Sequence, residues 1–218
     1  MTQKNSNQRT YLCDSDEIYR QSFATIATEV NLDSYDPLIR PVLLRLIHAC
    51  GMTDIIDKIV VHPDWFMAVR KALSAGKIFC DSNMTKVGII ERHLPVGSHI
   101  ECLLSSAETK NYAKEHGLTL SAASLAIYSR DWRDAIIVIG NAPTALYEFL
   151  YQLDYCLHKP AALIAFPVGF VGAVESKDQL INAKIDVPFI TLRGRLGGSA
   201  MAAAALNAVL IENGTING

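Results

Sequence analysis

The sequence has no stretch long and apolar enough to cross a bilayer. Its longest nearly apolar run, residues 200–211, is interrupted by Asn207 and falls well short of the roughly 20 residues a spanning helix needs. It has no C-x-x-C pair. The five cysteines, Cys13, Cys50, Cys80, Cys102 and Cys156, are odd in number and widely spaced, which argues against a disulfide frame or a zinc site. They read as reduced, mostly buried thiols of a cytoplasmic protein. Neither sign of charge dominates: 20 basic and 22 acidic residues leave a net charge of −2, which argues against a polybasic nucleic-acid surface and an acidic tail. No G-x-S-x-G elbow, H-E-x-x-H spacing or Gly-Lys-Ser/Thr phosphate loop occurs, so a hydrolase or metal site has little to stand on and nucleotide binding is only weakly supported. The first ten residues are polar, without the apolar core of a secretory signal. Residues 1–13 read as a mobile arm on a single α/β domain spanning 1–218.

What the chain does have is apolar content. Half of its 218 residues are hydrophobic, enough for a chain this long to bury roughly 70% of its extended surface without staples. The first third reads as helical. Asp14 or Ser15 can cap a helix from about Asp16 to Val30, with Ile18, Phe23, Ile26 and Val30 near one face. A second helix, Pro41 to Cys50, begins on proline and stops at Gly51. It is apolar nearly all round and is therefore expected to be deeply packed. A third runs from about Pro63 to Ser74. After Gly76, short strand-like runs at Lys77–Cys80, His99–Leu104, Ala135–Ile139, Ala161–Phe166 and Pro188–Leu192 alternate with helical stretches. That alternation predicts an α/β fold with a mostly parallel five-stranded sheet behind an N-terminal helical segment. The runs at 135–139 and 161–165 are apolar without alternation, as central strands covered on both faces should be.

Three strand-to-helix turns in the second half are rich in glycine, proline and small polar residues. They read Gly140-Asn-Ala-Pro-Thr-Ala-Leu146, Pro167-Val-Gly-Phe-Val-Gly-Ala-Val-Glu-Ser-Lys177 and Arg193-Gly-Arg-Leu-Gly-Gly-Ser-Ala200. In an open parallel sheet, ligands bind beyond the carboxyl ends of the strands, where these turns must lie. Glycine lets backbone approach a ligand, and each following helix offers free N–H groups and a positive dipole end. Three such ends in succession predict an anion-binding rim, although any one of them alone reads as an ordinary tight turn.

Among the six histidines His48 stands out, because it occupies the last turn of the second helix, three residues before its glycine stop. The helix dipole there favours an imidazolium, while Arg45 and burial oppose it. On position alone a cap or a satisfied core histidine is the commoner outcome. Ser22, on the Ile18 face of the first helix, is a candidate ligand contact, although a helical serine usually bonds back to its own backbone.

At these residues the chain resembles the precorrin-8X methylmutase family of corrin-ring biosynthesis. The stretches that carry the resemblance are Ile18-Tyr-Arg-Gln-Ser-Phe23, Arg45-Leu-Ile-His-Ala-Cys-Gly51 and the three turns just quoted, in the family's order from Ile18 to the C-terminal region. The resemblance implies a three-layer α/β/α, flavodoxin-like sheet and a homodimer with its sites near the subunit interface. It also implies an isomerase that moves the C11 methyl of precorrin-8X, or of its cobalt form, to C12. That shift is intramolecular and needs no methyl donor, redox cofactor or metal, and the expected cofactor set is none. By the same resemblance His48 is the general acid that protonates the ring C nitrogen. The substrate's many carboxylates would be held by Arg45, Lys177, Arg193 and Arg195, by the glycine-rich backbone at Gly169, Gly172 and Gly198, and by Ser22, Asn141, Thr144 and Ser199 as neutral donors.

Two positions depart from the family pattern. The family usually reads Thr-Arg-Ser where this chain reads Thr119-Leu120-Ser121, and it tends to have a threonine where Ile90 stands. A corrinoid-binding protein that keeps the pocket without turnover is the alternative these departures leave open. Arg130 and Arg133 are the cations that could replace the missing arginine. The glycine-rich turns alone would also permit an unrelated small-anion enzyme.

Overall fold

The computed structural model describes residues 10–217. Most of the expected N-terminal arm, residues 1–9, lies outside the described residues. Helix α1 (Ser15–Glu29) begins where the sequence places it: the Asp14 carboxylate accepts the Asp16 and Glu17 amides, meeting two donors that a helix start otherwise leaves open. Helix α2 (Arg40–Cys50) ends on Gly51 in the left-handed region, with φ at 69°. A 3₁₀ turn (Thr53–Lys58) leads into strand β1 (Ile59–Val61) and helix α3 (Trp65–Ala72).

The alternating part follows as β2 (Lys77–Cys80), α4 (Asn83–Gly88), β3 (His99–Glu101), α5 (Ala107–His116), α6 (Leu120–Tyr128), β4 (Ile136–Ile139), α7 (Pro143–Gln152), β5 (Ala162–Ala165), α8 (Ala173–Asn182), β6 (Phe189–Leu192) and α9 (Ser199–Asn217). All five expected strands form, each within its expected range. The sheet, however, has six strands in the order β1-β6-β5-β4-β2-β3. The added strand is β1, which pairs antiparallel with β6 through Ile59–Leu192 and Val61–Ile190, while the other pairings are all parallel. The five-stranded expectation is thus corrected to a mixed, mostly parallel six-stranded sheet. Three residues are too few to show a period, and an antiparallel edge strand has no crossover helix to announce it.

Alternate residues of the central strands point to opposite faces. Ile136, Val138 and Ile164 enter one core with residues of α2, α3 and α9, whereas Ile137, Ile139 and Leu163 enter a second with residues of α6, α7 and α8. Helix α9 packs on β4 and β5, and α2 packs on α9 rather than on the sheet. The expectation that α2 is deeply packed all round therefore gives way to a one-sided helix. Val42, Leu43, Leu46 and Ile47 are buried, each worth about 2 kcal/mol, and His48 and Ala49 are exposed. The helix enclosed on both sides is α9, whose apolar alanine-rich run supplies that core. Of the five cysteines only Cys80 is buried, so the expectation of mostly buried thiols is corrected: the others sit on helix ends and loops nearer the surface.

The chain steps from β2 outward to β3, then returns past β2 to β4 and continues through β5 to β6. The winding reverses between β2 and β4, and the carboxyl ends of those two strands flank the switch point of the sheet.

Candidate active site

The expected site residues fall into two groups. The first is helical. The His48 ring projects from the exposed face of α2, with Nδ1 2.8 Å from Ser22 Oγ on α1. Tyr19 lies against it at 5.2 Å between ring centroids, and Phe23 meets it edge-on at 5.5 Å. Ser22 bonds the imidazole and not its own backbone. This contact commits Nδ1 and leaves Nε2 as the nitrogen that can face a ligand. Arg45, one turn earlier, sits over the Phe23 ring with its guanidinium carbon 5.4 Å from the centroid. Burial pulls the Arg45 pKa below its usual value, and the Glu212 charge acts against that fall. Glu212 lies thirteen residues beyond Ser199 on α9, about 20 Å along the axis.

The second group is the rim. Because β4, β5 and β6 are neighbours, the three glycine-rich turns lie side by side at their carboxyl ends. They are bonded to one another. The Val168 amide donates to Asn141 O, Gly169 to Arg195 O at 3.3 Å, and Gly198 to Phe166 O at 2.8 Å. A Cβ on Gly197 would run into the Phe166 and Pro167 carbonyl oxygens, so only glycine lets these turns cross. Gly172 caps α8 with φ at 78°, and no side chain caps that helix. Thr144, in the first turn of α7, shares a 2.8 Å hydroxyl contact with Thr119, the cap of α6. Arg195 lies over the exposed Phe170 ring at 5.2 Å, and the half-exposed Arg193 is 3.9 Å from Asp178. Both guanidinium groups have open faces toward solvent.

Three expectations change here. The amides of Gly140, Asn141 and Ala142, expected to be open to a ligand, all donate to the Asp81 carboxylate at 2.8–3.0 Å. Lys177, expected to meet a ligand carboxylate, is fully buried and donates to Leu196 O at 2.6 Å. Its position on the inner face of α8 directs the stem into the core, and burial pulls its pKa down to about 8. Arg130 and Arg133 precede β4, at the amino ends of the strands, and neither reaches the rim. Leu120, 40% exposed and next to Thr119, does border it.

Sequence reasoning missed Asp81 and Thr85. The available signal was a lone carboxylate at the end of an apolar strand, but its partners lie 59 to 61 residues away. Among the described residues no cluster of three His, Cys, Asp or Glu could hold a metal ion, and no helix is long and apolar enough to cross a membrane.

The family model for CbiC, precorrin-8X methylmutase, matches residues 17–212. A precorrin-8X methylmutase of Pseudomonas aeruginosa is 45% identical over 203 residues, covering 93% of this chain and 98% of its own. A cobalt-precorrin-8 methylmutase of Priestia megaterium is 36% identical over 200 residues, covering 89% and 87%. The solved structure of a precorrin-8X methylmutase from Thermus thermophilus superposes with a TM-score of 0.82 at 30% identity, covering 92% of this chain and 97% of that one. The matched span takes in both the His48 face and all three turns of the rim, and the chain belongs to the precorrin-8X methylmutase family.

Proposed function

We propose that the protein is the isomerase that moves the methyl group of precorrin-8X, or of cobalt-precorrin-8, from C11 to C12, giving hydrogenobyrinate or its cobalt counterpart. The observation that carries the reading is the His48 ring, exposed toward solvent and fixed at Nδ1 by Ser22. Nε2 then delivers a proton to the ring C nitrogen. The protonated nitrogen draws electrons from the macrocycle while the C11–methyl bond breaks and the C12–methyl bond forms. No atom leaves the substrate, and the proton returns to His48 at the end. The open first turn of α8 and the exposed Arg193 and Arg195 hold the carboxylate arms, which accounts for anion binding by a chain of net charge −2. Tyr19 and Phe23 give the flat macrocycle an aromatic wall beside the proton donor.

The functional unit is a homodimer. In this reading a second copy supplies the rim opposite each His48. The parallel five-strand part, in the chain-order sequence 2-1-3-4-5 counted from β2, is a flavodoxin-like core with β1 added at its edge. The test is to add protein to precorrin-8X and follow the visible spectrum. Turnover that His48→Ala abolishes is the expected result. Tight hydrogenobyrinate binding without turnover would instead make the chain a corrinoid-binding relative, the reading that Leu120 in the arginine position favours. No affinity for either ring would defeat both.

A further inference from the structure

Asp81 follows β2 directly and faces the turn that follows β4, across the point where the winding of the sheet reverses. It is fully buried. Its Oδ1 accepts the Gly140 amide at 3.0 Å and the Thr85 hydroxyl at 3.1 Å, and its Oδ2 accepts the Asn141 and Ala142 amides at 2.8 and 2.9 Å. Four donors converge on two oxygens, so a carboxyl proton would have no acceptor to meet: the surroundings are built for the carboxylate. Burial pushes its pKa up, and the three amides and the hydroxyl pull against that rise.

The carboxylate also reaches a second turn. Thr85 Oγ1 is 3.0 Å from Ser199 Oγ, at the head of α9, and 2.9 Å from Ser82 Oγ. Gly140 fits beneath this group only because it lacks a side chain: a Cβ would lie 2.6 Å from Thr85 Oγ1 and 2.8 Å from Ser199 Cα. One buried anion thereby fixes both the β4–α7 turn, which carries Asn141 and Thr144, and the start of α9, which carries Ser199. It also fills the amide cradle that a ligand carboxylate would otherwise occupy at the switch point.

We propose that Asp81 is a positioning residue for the methyl shift: a built-in anion that sets Asn141, Thr144 and Ser199 against the ring and turns the substrate's own carboxylates away from the 140–142 amides toward α8 and the rim arginines. The proposal rests on the reading that the rim holds the ring. It acts on binding and not on the proton transfer, which His48 performs elsewhere.

The test compares wild type, Asp81→Asn, Thr85→Val and Thr85→Ser in full-length protein, by precorrin-8X kinetics, hydrogenobyrinate titration and amide exchange. Asp81→Asn is expected to raise KM and the hydrogenobyrinate Kd about tenfold while kcat stays within about threefold. The Asn141 and Ala142 amides should exchange about tenfold faster than in wild type. Thr85→Val should move KM in the same direction, and Thr85→Ser, which keeps the hydroxyl, should restore it. An unchanged KM with kcat falling only as folded protein is lost would overturn the proposal and leave Asp81 a purely structural group. Unchanged protection of Asn141 and Ala142, or equal damage from Thr85→Ser and Thr85→Val, would overturn it as well. Wild-type protein inert toward both rings defeats the functional reading, and Asp81's place in that reaction with it. Active wild type beside an indistinguishable Asp81→Asn defeats the Asp81 proposal alone.

Discussion

Around His48, the geometry is set by side chains: a serine hydroxyl at 2.8 Å, two aromatic rings, and a guanidinium over one of them. Along the rim it is set by main chain, with amides and carbonyls of one turn bonded to the next and a buried carboxylate and a buried ammonium pinning the ends. The first kind of site can lose one group and keep its scaffold, since α1 and α2 are held by apolar contacts on their other faces. The second cannot, because there the scaffold and the contacts are the same atoms. Substitutions on the helical face should therefore divide cleanly into chemistry and binding, whereas substitutions in the rim should mix binding with stability.

The sharpest division is expected at His48. His48→Ala should lower turnover by about a thousandfold while hydrogenobyrinate affinity stays within about threefold, measured by single-turnover absorbance and by titration. A comparable loss of affinity would show that the imidazole holds the ring and does not protonate it. Mixing His48→Ala chains with chains carrying both Arg193→Ala and Arg195→Ala should recover part of the activity, because in the proposed homodimer a mixed pair retains one site with both intact faces; strict inactivity would place each complete site within one chain.

In the rim, Lys177 makes stability depend on pH in a known direction. Its folded pKa of about 8 lies below the usual 10.5, so the unfolded chain holds more protons between those values. The cost of burying the ammonium is fully present below pH 8 and fades as the pH rises toward 10.5. Relative to Lys177→Met, wild type should gain about 3 kcal/mol across that window in urea unfolding, and parallel curves for the two proteins would contradict it. Gly140→Ala should cost about 2 kcal/mol, since the new methyl meets Thr85 and the α9 backbone, and should weaken ring binding with it. The smallest effect is expected at Ser22. Ser22→Ala should reduce kcat by about tenfold without lowering the unfolding midpoint, because the lost hydroxyl orients an exposed ring.

The two regions also differed in how far the sequence revealed them. The α1 cap, the α2 stop and the strands of the sheet centre were legible because each is written in consecutive residues: Asp14 before its helix, Gly51 after its own, unbroken apolar runs at 136–139 and 162–165. The position of His48 was legible for the same reason. Its contact with Ser22 was not, as it spans 26 residues between two helices. The glycine-rich turns announced that three loops meet at the carboxyl edge of the sheet, yet not which amides remain free, because Asp81 claims three of them from a distant strand. Lys177 misled for a related reason. A cation beside a glycine-rich turn looks like an anion ligand until the helix phase turns it inward to a carbonyl.

The mutual bonding of the three turns has a bearing on redesign. Each loop's backbone is the neighbouring loop's template, so a replacement segment that changes the path of one loop leaves amides and carbonyls on the other two without mates. If the rim holds the ring as proposed, altering which macrocycle it accepts calls for transplanting residues 140–146, 167–177 and 193–200 as one block, together with Asp81 and Thr85 beneath them.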